Sequence, residues 1–138
     1  MKKWVIGLVV VAALVGSFFA FSTPAKNDAT KTASTKVSIT SFSQVQTAVK
    51  NGGQLLDVRT ADEYIAGHIE GASNFSLQDL QAGKLPTDVK DQALFAYCRS
   101  GNRSGQATTI LKAAGYTNVT DLGAITHVQA IGGKLVVN

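Results

Sequence analysis

Between Val37 and Asn138, short apolar runs alternate with amphipathic stretches, and the two periods separate strands from helices. Val37-Ser38-Ile39 reads as a short first strand. Ser41 is placed to cap a helix that runs to about Lys50, with Phe42, Val45 and Val49 at helical spacing. The turn Asn51-Gly52-Gly53 leads into a second strand, Gln54 to Val58. Asp62 to Ala66 reads as a short helix, Ala72 to Phe75 as a third strand, and Leu77 to Ala82 as another short helix. Ala93 to Tyr97 is a continuous apolar run, as expected of a strand buried on both faces. Ser104 to Ala114 has a helical pattern with Gly115 just past its end, and Val119 to Leu122 is the fifth strand. Strands separated by helices predict an α/β domain, with a parallel sheet covered on both faces and right-handed crossovers.

The first 36 residues follow another pattern. Met1-Lys2-Lys3 precedes Trp4 to Phe21, 18 residues without a charge, which as a helix would span about 27 Å. The positive start predicts an inside amino terminus and an exported remainder. Two fates are open: an uncleaved anchor, because the apolar run exceeds the usual signal h-region, or a signal peptide cleaved near Ala20-Phe21-Ser22 or Thr23-Pro24-Ala25. Residues 1–21 are accordingly expected to be the anchor or signal, with membrane contact through residues 4–21. The protein is then either held on the outer side of the cell membrane or secreted. Ser22 to Lys36 holds no large apolar residue and should be a flexible tether, leaving 37–138 as one domain.

Charge narrows the partners. Of 13 basic residues Lys2 and Lys3 belong to the first segment, so 11 face 9 acidic residues in the rest, a net of +2. Neither Lys nor Arg forms a run there and no recognition motif appears, which speaks against nucleic acid. One cysteine excludes an internal disulfide, and the two histidines, far apart in sequence, give no metal-ligand spacing; neither a metal nor a cofactor is expected.

That cysteine, Cys98, opens Cys98-Arg99-Ser100-Gly101-Asn102-Arg103-Ser104-Gly105 at the carboxyl end of the fourth strand and the amino end of a helix. Small residues let backbone N–H groups turn inward as a nest, the helix dipole adds positive potential, and Arg99 and Arg103 strengthen the field. A thiol so placed is expected to ionise below its free value. A lone cysteine is otherwise a small buried hydrophobe, and the flanking Gly and Arg residues are what favour the reactive reading.

This loop resembles the active-site loop of the rhodanese sulfurtransferases, where a cysteine opens a six-residue cradle, here Cys98 to Arg103. In the related phosphatases and arsenate reductases the cradle is one residue longer, to surround a tetrahedral oxyanion. A second motif agrees: Asp57 to Asn74 matches the family's D-V-R-x-x-x-E-[FY]-x-x-G-H-I-x-G-A-x-N. The resemblance covers about Val37 to Asn138. It departs at Val128, where family members often carry tryptophan, and this implies altered packing of the last helix. It implies a three-layer α/β/α domain with a five-stranded parallel sheet in the order 1-5-4-2-3. It also implies catalysis by Cys98 through a persulfide, drawn from a donor such as thiosulfate and passed to a thiol, sulfite, cyanide or a partner protein's cysteine. Arg99, Ser100, Gly101, Asn102 and Arg103 would bind substrate, the two arginines clamping thiosulfate oxygens. Asp57, Arg59, Glu63 and His68 would support the loop, with His68 a scaffold residue and not a base. A sulfur carrier or redox sensor serving a membrane partner is the main alternative. A phosphatase or arsenate reductase is disfavoured by the cradle length.

Overall fold

The computed structural model describes residues 38–137. The expected span Trp4 to Phe21 and tether Ser22 to Lys36 lie outside them. Among the described residues no helix is long and apolar enough to cross a membrane.

Ser41 caps α1 (Phe42–Lys50) in a capping box with Gln44, whose side chain returns to the Ser41 N–H at 3.2 Å. β1 (Gln54–Asp57) follows, then α2 (Ala61–Ile65), whose N-cap Thr60 and Glu63 form a second capping box. β2 (His68–Ile69) and β3 (Ala72–Asn74) precede α3 (Leu77–Gln81), which Ser76 caps. The second half contains β4 (Leu94–Cys98), α4 (Asn102–Ala113), β5 (Val119–Ala124), α5 (Ile125–Ala130) and β6 (Leu135–Val136).

β3, β1, β4 and β5 form one sheet in that order, all parallel. The expected sheet of five strands is therefore a sheet of four among the described residues. Ser38 and Ile39 form no strand, and Ile39 instead packs its side chain against the core beside α1. Two short strands absent from the sequence reading, β2 and β6, pair antiparallel, with His68 opposite Val136 and Ile69 opposite Leu135. At two residues each, they are too short for a periodic signal.

Alternation along the strands assigns each side chain to a layer. Leu56, Leu94, Ala96 and Cys98 face one side, where they meet Leu77 and Leu80 of α3 and Ala107 and Leu111 of α4. Leu55, Phe95, Tyr97 and Leu122 face the other side and pack on Phe42, Val45 and Val128. Val128 is fully buried, and Gly133 passes so close that a Cβ there would lie 2.8 Å from the Val128 carbonyl oxygen and 2.9 Å from Cγ1. The last helix thus closes its core with a small residue and a close backbone approach where a tryptophan was the family expectation.

Candidate active site

Cys98 ends β4 and α4 begins at Asn102, so the turn between them is only Arg99-Ser100-Gly101. The helix starts two residues before the expected Ser104, because Gly101 takes φ +95° and turns the chain straight into its first turn. An L-residue rarely adopts that conformation, and glycine does so without a Cβ penalty. One result is that helix N–H groups themselves join the cradle. The Gly101 N–H donates to Cys98 Sγ at 3.0 Å, and the Ser104 hydroxyl lies 3.7 Å from the same sulfur.

Cys98 is fully buried, and burial by itself raises a thiol's pKa. Here the N–H groups of Ser104 and Ser100, the Ser104 hydroxyl and the Gly101 N–H outweigh it and hold Cys98 below the ordinary thiol value. Ser104, itself fully buried, was not singled out by the sequence motif. Its hydroxyl is fixed by the carbonyls of Gly101 at 3.0 Å and Gly123 at 3.4 Å. Gly123 belongs to β5, where an irregularity in the β4–β5 pairing brings Ala124 opposite Cys98. The only signal for Ser104 in sequence is a polar residue one turn into an otherwise core-facing helix.

The two arginines of the loop part ways. Arg103, expected to clamp substrate, gives Nη1 to Glu63 Oε2 at 2.6 Å and Nη2 to Glu63 Oε1 at 2.8 Å. This bidentate tie, with the Thr60 N–H and hydroxyl also on Glu63, lowers the Glu63 pKa to about 2 and raises that of Arg103. Arg99 is exposed, and its side chain has no hydrogen bond or ion pair among the described residues. Ser100 is exposed beside it, and Asn102 spends its Oδ1 on Gln106 Nε2 at 2.7 Å.

Under the loop lies a buried network. Asp57 accepts from Arg59 Nε at 2.9 Å and from Nη2 at 2.5 Å, and Arg59 Nη2 also reaches the Gly67 carbonyl at 2.7 Å. Tyr97, which precedes Cys98 and points to the opposite face, donates to Asp57 Oδ2 at 2.8 Å and accepts from the Ile69 N–H at 3.0 Å. Burial raises the Tyr97 pKa, so the phenol stays protonated and able to donate. Asn74 closes the set, its Nδ2 donating to the carbonyls of Asp57 and Arg59 at 3.0 and 2.9 Å. His68 is buried and stacked on Tyr64 at 3.9 Å between centroids, with Nδ1 3.1 Å from the Tyr64 carbonyl. That contact makes Nδ1 the protonated nitrogen and ties the ring to α2.

The Rhodanese-like domain family matches residues 41–126. The thiosulfate sulfurtransferase PspE of Escherichia coli is 35% identical over 75 residues, which cover 53% of this chain and 71% of that protein. Thiosulfate sulfurtransferase 18 of Arabidopsis thaliana is 35% identical over 96 residues, 59% of this chain and 69% of its own length. Among solved structures, the Alr3790 protein from Anabaena superposes with a TM-score of 0.59 at 27% identity, covering 69% of this chain and 77% of that one. The human single-domain sulfurtransferase TSTD1 gives 0.56 at 26%, covering 65% and 93%. With the family match spanning most of the described residues, from the α1 cap through the cysteine loop to the start of α5, this chain belongs to the rhodanese-like domain family.

Proposed function

We propose that the chain is a sulfurtransferase that carries sulfane sulfur as a persulfide on Cys98. The observation that carries this reading is the Gly101 N–H aimed at Sγ from 3.0 Å, at the mouth of a helix whose first N–H groups share the task. Its support from relatives is that several are named thiosulfate sulfurtransferases.

In the first half-reaction Cys98 thiolate attacks the outer sulfur of thiosulfate. The S–S bond of the donor breaks, its electron pair leaves with sulfite, and the Cys98 persulfide remains. In the second, a nucleophilic acceptor attacks the outer persulfide sulfur and the pair returns to Sγ as thiolate. No cofactor or metal enters either step. Loop and helix N–H groups hold the negative charge in both states without reorganising. Arg99 is the cation free to meet the donor's oxygens, while Arg103, held by Glu63, acts as a positioning residue that ties α4 to α2. The same proposal keeps the domain outside the membrane, held by residues 4–21 or released by cleavage.

The test is turnover of thiosulfate with cyanide by the detergent-solubilised full chain, beside turnover of an aryl phosphate, with intact-mass spectrometry after thiosulfate alone. Thiocyanate should form, the phosphate should stay intact, and wild type should gain the mass of one sulfur where Cys98→Ser does not. Sulfur gained equally by Cys98→Ser refutes the site. Phosphate hydrolysis without thiocyanate refutes the reaction class, and a loaded persulfide that no acceptor discharges points to a carrier.

A further inference from the structure

The pairing of β4 with β5 skips a residue just before the nucleophile. Ala96 lies opposite Asp121 but Tyr97 lies opposite Gly123, so Leu122 is the extra residue of a bulge, and its side chain enters the core on the face away from Cys98. Gly123 makes the turn that follows, at φ +74°. Asp121 holds that turn: its Oδ1 accepts from the Gly123 N–H, two residues on, at 2.8 Å.

Gly123 in its turn touches both groups that serve the sulfur. Its carbonyl accepts from the Ser104 hydroxyl at 3.4 Å, and its Cα lies 3.6 Å from the Cβ position of Gly101, whose N–H donates to Sγ. The Gly123 turn is thus one wall of the cradle, although it belongs to the neighbouring strand. We propose that Asp121 is a positioning residue for Cys98: by holding the Gly123 turn, it fixes the Ser104 hydroxyl and the Gly101 N–H against the sulfur. Asp121 itself is exposed and acts only through Gly123.

Two properties of the wall make such a hold necessary. Glycine visits left-handed and extended backbone almost equally, so Gly123 has no preference of its own that keeps it at φ +74°. A hydroxyl also has one proton, and Ser104 Oγ has three neighbours, the carbonyls of Gly101 and Gly123 and Cys98 Sγ. If Gly123 swings away, that oxygen loses one of its two carbonyl anchors, and its distance of 3.7 Å from the sulfur is no longer fixed. The Asp121 charge acts in the opposite sense. Its Oδ2 lies 3.5 Å from the Cβ position of Gly105, in the first turn of α4, where a negative charge offsets the helix dipole and so raises a thiol's pKa. Loss of the turn and loss of the charge therefore move Cys98 in opposite directions.

This inference rests on the reading of Cys98 as the sulfur carrier, and the experiment separates the two. On the detergent-solubilised full chain, the pH midpoint of Cys98 alkylation by iodoacetamide and the rate of sulfur loading from thiosulfate are measured for wild type and for Asp121→Ala, Asp121→Ser and Asp121→Asn, with urea midpoints alongside. The other charged groups around the cradle, Arg99 and Arg103 of the loop and α4, Glu63 of α2, and Asp57 and Arg59 below it, are the same in all four. Asp121→Ala should raise the alkylation midpoint and slow loading about fivefold, equivalent to about 1 kcal/mol at 1.4 kcal/mol per decade. Asp121→Asn keeps the accepting oxygen and should stay near wild type or fall slightly below it in midpoint, and Asp121→Ser, a weaker acceptor, should lie between. A midpoint that is unmoved or lowered in both Asp121→Ala and Asp121→Ser overturns the proposal, even where urea stability falls, and so does Asp121→Asn behaving as Asp121→Ala does. Wild type that never loads sulfur overturns the sulfur-carrier reading, while the alkylation midpoints still decide the role of Asp121.

Discussion

Single side chains set the charge state on which the chemistry depends. Because the cradle holds Cys98 below the ordinary thiol value, its alkylation by iodoacetamide should follow a pH profile with a midpoint under about 8.5. A midpoint at or above that value contradicts an activated thiolate. Glu63 gives a second titration. Folded Glu63 is held at about 2, while an unfolded glutamate titrates near about 4.3, so its tie to Arg103 contributes fully above the higher value and is lost as pH falls through the lower. Glu63→Gln should therefore cost about 1 kcal/mol near neutrality, the scale of a partly exposed bidentate pair, with the cost shrinking towards pH 2 and vanishing below it. Urea midpoints of both proteins across that range check the sign, and a gap that persists in acid refutes the assignment. Asp57→Ala acts in a drier place: it strands the Arg59 charge and leaves the Tyr97 hydroxyl without its acceptor. A loss of about 3–5 kcal/mol in chemical denaturation is expected. The motif made Asp57, Arg59, Glu63 and His68 legible as a group. It did not tell that Arg103 pairs with Glu63, because the partner lies 40 residues away and only the fold brings it near.

At the level of elements, the loop-to-helix junction carries the site. Gly101 has φ +95°, and a Cβ there would still find ordinary contact distances, the nearest being 3.6 Å to the Gly123 Cα. Gly101→Ala therefore meets conformational strain more than collision, about 1–2 kcal/mol. Relief of that strain by rotation would swing the Gly101 N–H off Sγ. Thiosulfate loading should slow and the alkylation midpoint rise, whereas Gly71→Ala, at φ +83° with nothing within 4 Å of its Cβ, should leave both unchanged at similar cost in stability. Three helices begin at a side-chain cap, Ser41 ahead of Phe42 and Val45, Thr60 with Glu63, and Ser76 ahead of Leu77 and Leu80, whereas α4 and α5 begin without one. The early start of α4 was not legible in the sequence, since Arg99-Ser100-Gly101 reads equally as loop and only the left-handed Gly101 decides it. β2 and β6 were invisible for want of length, and Ser38 and Ile39 carry a strand-like composition that local backbone pairing does not use.

For the whole molecule, a parallel sheet with different cores on its two faces separates two tasks. One face seats Cys98 among α3 and α4; the other buries Tyr97, which precedes it in the strand. If residues 4–21 hold the chain in a bilayer as proposed, the protein should sediment with membranes, resist alkaline carbonate, and be digested by protease reaching the outer face. A soluble form beginning near Thr23 or Lys26 would instead establish cleavage, and protection from external protease would refute export.

The complete burial of a solitary thiol also governs how one copy of this protein meets another. A disulfide requires Cβ atoms within about 4.5 Å, with the sulfurs in direct contact. Two Cys98 residues sunk at the ends of their own sheets cannot approach so closely without unfolding. Air oxidation of the folded protein should then yield no cross-linked dimer on a non-reducing gel. An acceptor that is itself a protein would need its cysteine on a narrow, projecting segment, so shape screens macromolecular acceptors before chemistry does.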